Sequence, residues 1–186
     1  MNKRVKKILD FWFIECSMKD YFKKDPNFDN KIKINFEKDY IKAINNDLEE
    51  WQDSPESCLA LVIVLDQFSR NLFRNNKNAY KFDKKTRLIV NEGIDRGDLE
   101  EMSNEYILFF LLPLIHSEEI SDHIFAHKLS KTYLKDHKEY KLIKKSWDDH
   151  TNVIKKFSRY PHRNKILNRE NTTEENKFLS NSNISW

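Results

Sequence analysis

From residue 59 to 65 the chain is apolar without a break, LALVIVL, and the nine residues that follow gather Asp66, Gln67, Arg70, Asn71 and Arg74. An element apolar on every side belongs inside a protein. The stretch therefore predicts a buried central helix that carries a polar cluster from the core toward a surface or pocket. Upstream, Val5, Ile8, Leu9 and Trp12 recur at three- and four-residue steps and predict an amphipathic helix over 2–14, with Phe11 and Phe13 widening its apolar face. Asp29 reads as the N-cap of a second helix bearing Ile32, Phe36, Tyr40, Ile41 and Ile44. Ser54 and Pro55, a cap followed by proline at the first helical position, open the central helix.

Residues 75–77 break that helix. A further helix over 80–92 is expected to close at Gly93, with 93–98 as a loop. Ser103 caps a very apolar helix, 106–115, in which Pro113 should kink the rod or begin a new turn. Two long polar helices follow, over 119–135 and 139–157. They pair antiparallel, with Ile120, Ile124, Leu129, Tyr133, Ile143, Trp147 and Ile154 turned inward. Thr172 and Glu175 form a capping box ahead of a short last helix. The expectation is one all-α domain over residues 1–186, with about eight helices in antiparallel pairs and no fixed-period repeat.

Composition narrows this further. Two Gly and four Pro are too few for a fold of many strands and tight turns. The 33 basic and 30 acidic residues are interspersed, as on a solvated surface, so neither a nucleic-acid partner nor a membrane is expected. The longest apolar run, 106–115, is about half of the roughly 20 residues a spanning helix needs. Cys16 and Cys58 give no disulfide framework and no CxxC zinc spacing, which fits a reducing cytoplasm.

Lysine outnumbers arginine 25 to 8, yet five of the eight arginines, Arg70, Arg74, Arg159, Arg163 and Arg169, fall in segments 59–74 and 159–169 beside a single lysine, Lys165. Guanidinium is a planar multi-donor fork that lysine cannot replace. These positions therefore require fork geometry, either for buried pairs with Asp66, Glu118 or backbone carbonyls, or for a bidentate grip on a carboxylate or phosphate.

Segments 59–74, 112–118 (LPLIHSE) and 157–164 (FSRYPHRN), with Leu167 and Arg169 after them, resemble the family grouped as domain of unknown function 924. Phe11-Trp-Phe13, Trp51, Phe82-Asp83, His150 and residues 172–175 add to the resemblance, which spans nearly the whole chain. It implies an all-helical, compact tetratricopeptide-like array with no established activity. Ser69 stands where that family usually has proline, Ser158 where it has glycine, and Asn75 where glycine often follows the arginine.

His123 and His127 are one helical turn apart, but without a glutamate beside the first they read as surface histidines rather than zinc ligands. No metal and no cofactor is expected. With no glycine-rich phosphate loop, nucleotide binding by that route is excluded. In the tripeptide His116-Ser117-Glu118, neighbouring side chains on a helix diverge, so Ser117 is expected to cap the next helix rather than to act as a nucleophile. The leading expectation is a polar pocket that binds a small anionic, phosphate- or carboxylate-bearing ligand. Its residues would be Asp66, Gln67, Arg70, Asn71, Arg74, His116, Glu118, His150, Arg159, His162, Arg163 and Asn164. One alternative is a peptide or protein interaction module with the arginines as structural clamps. Another is a hydrolase or transferase using His116 or His162 with Asp66 or Glu118.

Overall fold

The computed structural model describes residues 2–17, 20–21 and 24–180. Asn2 starts α1, Lys3–Asp10, by accepting the Arg4 amide on its side chain, and the helix continues through a π turn, Phe11–Glu15. α2 is Pro26–Ile44. α3 comprises Pro55–Val62, a π turn Ile63–Phe68, and Ser69–Leu72 in one run. α4 is Asp83–Arg96, α5 Asn104–Ile115, α6 Ile120–Tyr133, α7 Tyr140–Phe157 and α8 Thr173–Ser180. The described residues thus form an all-helical arrangement without strands.

Residues 58–65 of α3 are each at most 2 % exposed, because α1, α2, α4 and α5 pack around them. Phe36 stacks on Phe68 at 4.8 Å, and Trp12 meets Phe68 and Phe109 edge-on at 5.5 and 5.6 Å, extending the core into α1, α2 and α5. A smaller core of Val153, Ile154 and Tyr160, with Phe157 and Phe178 against it, docks α8. Among the described residues no helix is long and apolar enough to cross a membrane.

Several boundaries differ from the pattern. α2 is capped by Asp25, which accepts the Asn27 amide at 2.9 Å with Pro26 at the first helical position; cap and proline together outweigh Asp29. Asp29 lies inside the first turn, and its carboxylate is taken by Arg74. Ser54 begins α3 without capping it through its side chain, its Oγ meeting Ser57 Oγ at 3.0 Å. α5 runs through Pro113 to Ile115 unbroken.

α4 passes through Gly93 and ends at Gly97, which takes the left-handed φ of 90°. Gly93 instead lets α4 approach α5 closely, since a Cβ there would lie 2.7 Å from Phe110 Cζ and 2.7 Å from Asp98 Oδ2. Gly93→Ala is expected to destabilise the protein by about 1–3 kcal/mol through overpacking, read as a shifted urea midpoint.

α6 is rotated relative to its apolar pattern. Ile120 and Ile124 are 38 % and 61 % exposed, whereas His123, Ala126 and Ser130 face inward. The two histidines read as surface residues from sequence are therefore structural. His123 Nε2 donates to the Ser117 carbonyl at 2.9 Å and its Nδ1 lies 3.1 Å from Thr151 Oγ1, while His127 Nε2 lies 2.9 Å from the same hydroxyl. Satisfied polar contacts between α6 and α7 thus win over burial of two isoleucines. Ser158 closes α7 at a left-handed φ of 55°, the conformation that the glycine usual in the resembled family would favour.

Candidate functional site

Asp66 sits in the π turn of α3, where the wider backbone departs from regular helical register. Its carboxylate is 1 % exposed, accepts from Gln67 Nε2 at 2.6 Å, meets His116 Nδ1 at 2.9 Å from each oxygen, and is ion-paired with Arg70 Nη2 at 3.1 Å. Burial alone would raise the Asp66 pKa. The charge of Arg70, followed by the contact with His116, outweighs it and holds the carboxyl below the usual range, so Asp66 is ionised. With both carboxylate oxygens accepting, the proton of His116 is on Nδ1. Its Nε2 makes no hydrogen bond to the described residues.

Arg70, one turn on, has both terminal nitrogens occupied. Nη1 donates to the Asp66 and Ala79 carbonyls at 2.9 and 3.1 Å and to Asp83 Oδ1 at 3.0 Å, and Nη2 to Asp83 Oδ2 at 3.1 Å. Arg163 reaches the same Asp83 only at 3.5 Å. Its guanidinium lies between the rings of Tyr80 and Tyr160, 4.6 and 4.5 Å from their centroids, it is 7 % exposed, and its Nε has no partner among the described residues. Burial lowers the Arg163 pKa. Of the five arginines singled out by sequence, it is the one least matched by a carboxylate.

The other three are clamps. Arg74 forms a fork on Asp29 at 2.6 Å for each bond, joined by Asn71 at 2.8 Å. Arg159 forms a fork on Glu175 at 2.6 and 2.7 Å, and Thr172 and Glu175 close the predicted capping box. Arg169 grips Glu118 at 2.7 and 3.0 Å, while Glu118 also accepts the Tyr160 amide at 2.8 Å. The Tyr160 hydroxyl donates to the Ile115 carbonyl, so segments 59–74, 112–118 and 157–169 meet in one network.

That network brings together Asp66, Gln67, Arg70, His116, Glu118 and Arg163. Asn164, fully buried, ties the last segment to Asn171 at 2.8 Å. His150 and His162 flank Tyr160 at ring distances of 5.9 and 5.4 Å; burial pushes each down to about 3. Asn71, Arg74 and Arg159 point elsewhere, to Asp29 and Glu175. Asp83, Tyr80 and Tyr160 belong to the site without having been expected there. An aspartate at the first position of a helix reads as a helix-start residue, and only the resemblance drew attention to Phe82-Asp83.

Ser117 Oγ is engaged by Arg87 Nη1 at 2.7 Å and by the Glu119 amide at 3.0 Å, so it ties the turn ahead of α6 and neither pairs with His116 nor caps that helix as expected, the N-cap being Glu119. Among the described residues no group of three His, Cys, Asp or Glu side chains is placed to hold a metal ion. A cleft of about 560 Å³ opens between residues 75–77 and 162–168. It is lined by Asn75, Asn76, Lys77, His162, Lys165, Ile166 and Asn168, with two ammonium groups and no carboxylate. Arg163 and the rings that enclose it, Tyr80 and Tyr160, are not among the lining residues, but each lies within three positions of one of them in the chain.

Fold and site together define an all-helical protein built around a buried Asp-His-Arg network. The chain belongs to the family described as "Bacterial protein of unknown function (DUF924)", which matches residues 8–183. It is also similar to a solved structure of a protein of unknown function from Agrobacterium tumefaciens, at 35 % identity over 94 % of this chain and 96 % of that one, with a TM-score of 0.86. No curated protein matches the chain.

Proposed function

We propose that the protein binds a small phosphate-bearing or carboxylate-bearing molecule at Arg163, with the cleft beside it receiving the rest of the ligand. The observation that supports this is the state of Arg163. A buried guanidinium normally has its donors filled, yet this one has an unpartnered Nε and a single long contact to a carboxylate already held by Arg70. An anion at the guanidinium would supply the close charge partner that Arg163 lacks, and Lys77 and Lys165 in the cleft lining would add to the attraction. Arg70, Arg74, Arg159 and Arg169 serve as the scaffold, their forks being occupied by protein acceptors.

Thermal shift at constant ionic strength tests the reading. Inorganic phosphate at about 100 times its Kd should raise the melting temperature by roughly 5–10 °C for a chain of this size, because a ligand of the native state stabilises it by mass action. Arg163→Lys, which keeps the charge and loses the fork, should abolish most of that shift relative to its own baseline. If neither phosphate nor simple carboxylates move the wild-type melting temperature, the anion site is gone and Arg163 is held by Asp83 and its aromatic neighbours.

A further inference from the structure

We propose that His116 is a catalytic acid–base residue oriented by Asp66, and that the reaction is hydrolysis of a phosphate monoester whose phosphoryl group is held at Arg163. The proposal rests on the anion site above. Its own support is the geometry of the dyad. The Asp66 charge is already answered by Arg70 and hydrogen-bonded by Gln67, so His116 is not needed to neutralise it. What the carboxylate does for His116 is fix one tautomer and one ring orientation, with the hydrogen on Nδ1 and the lone pair on Nε2. That nitrogen is unpartnered among the described residues, and the ring is 19 % exposed rather than sealed in the core.

The surroundings suit the charge that would form. His116 caps the C-terminal end of α5, where the helix dipole favours a cation, and an imidazolium there keeps the Asp66 carboxylate against its other nitrogen. Arg70 joins the two ends of the site, paired with Asp66, which holds His116, and bonded to Asp83, which Arg163 reaches at 3.5 Å. Ser117 is committed to Arg87 and Glu119, so water is the nucleophile. In the step, an O–H bond of water breaks and its proton goes to Nε2 while the water oxygen bonds to phosphorus. The ester P–O bond breaks with its electron pair on the leaving oxygen, which takes up the proton released as the imidazolium resets. One water is consumed and an alcohol and inorganic phosphate are formed, with no redox change.

The experiment is release of p-nitrophenol from p-nitrophenyl phosphate by the full chain. His116→Gln retains an N–H to face Asp66 and should lower kcat by about 10²–10⁴-fold with KM within a few-fold, whereas Arg163→Lys should chiefly raise KM. Wild type that shows the phosphate thermal shift but no turnover overturns the dyad and leaves the anion site standing. Turnover in His116→Gln equal to wild type does the same. Should His116→Gln not fold, carbethoxylation of the wild type by diethylpyrocarbonate, mapped by mass spectrometry, decides. Modification of His116 in step with loss of turnover, slowed by inorganic phosphate, supports the proposal, and an unreactive His116 overturns it.

Discussion

Asp66→Ala is expected to cost about 3–5 kcal/mol of stability, the range for removing one partner of a buried ion pair and leaving the other uncompensated. Two groups would be stranded: Arg70, which keeps Asp83 but must then share it with Arg163 without a second carboxylate, and His116, whose Nδ1 loses its acceptor. The interior would then hold two guanidinium groups against Asp83 alone. Urea denaturation at neutral pH measures the effect. A loss within about 0.5 kcal/mol, typical of exposed positions, would mean that the carboxylate contributes nothing net to the fold and is kept for its action on His116.

Acidification from pH 7.5 to 5 should destabilise the protein well before its carboxylates titrate. Burial is the first cause holding His150 and His162 at about 3, far below the value of about 6.5 for an unfolded histidine. His150 faces the Ser146 carbonyl, which favours its charge, and His116, His123 and His162, which oppose it. His162 faces Arg163, His116 and Lys24, which oppose its charge, and Glu118, which favours it. As pH falls through 6.5 the unfolded chain takes up protons that the folded chain refuses, so the stability is fully present above that pH and is lost below it. The slope has an upper limit of about 1.4 kcal/mol per pH unit for each such histidine. His123, also lowered by burial, adds in the same direction. Asp66 acts in the same direction at lower pH: its pKa is depressed, so its contribution is present above about pH 4 and lost only below. Urea midpoints between pH 7.5 and 5 for wild type, His150→Gln and His162→Gln check this. A flat wild-type profile would show that both rings take up protons freely in the folded protein.

Much of the scaffold is legible in the residues. Periodicity places α1, α3, α5 and α7, and Thr172 with Glu175 closes the box that starts α8. These signals are local, acting over three or four residues, which is the range a sequence displays directly. Local signals fail where two candidates compete within a few positions, as with Asp25 against Asp29 or Gly97 against Gly93, and where a tertiary partner overrides polarity, as with His123 facing Thr151.

By itself the sequence determined that the chain is helical, that 59–65 is buried and that a polar cluster leaves the core after it, and it marked the positions where arginine stands in a lysine-rich chain, since each follows from spacing, composition and side-chain chemistry. Only the tertiary structure decided which carboxylate answers which arginine. Arg74 takes Asp29 across 45 positions and Arg169 takes Glu118 across 51, while Arg163 is left with a share of Asp83 across 80. An ion pair needs only proximity and orientation, and among 30 acidic residues nothing local marks the one that folding will bring within 3 Å. The under-coordinated Arg163 and the open Nε2 of His116 are products of that assignment.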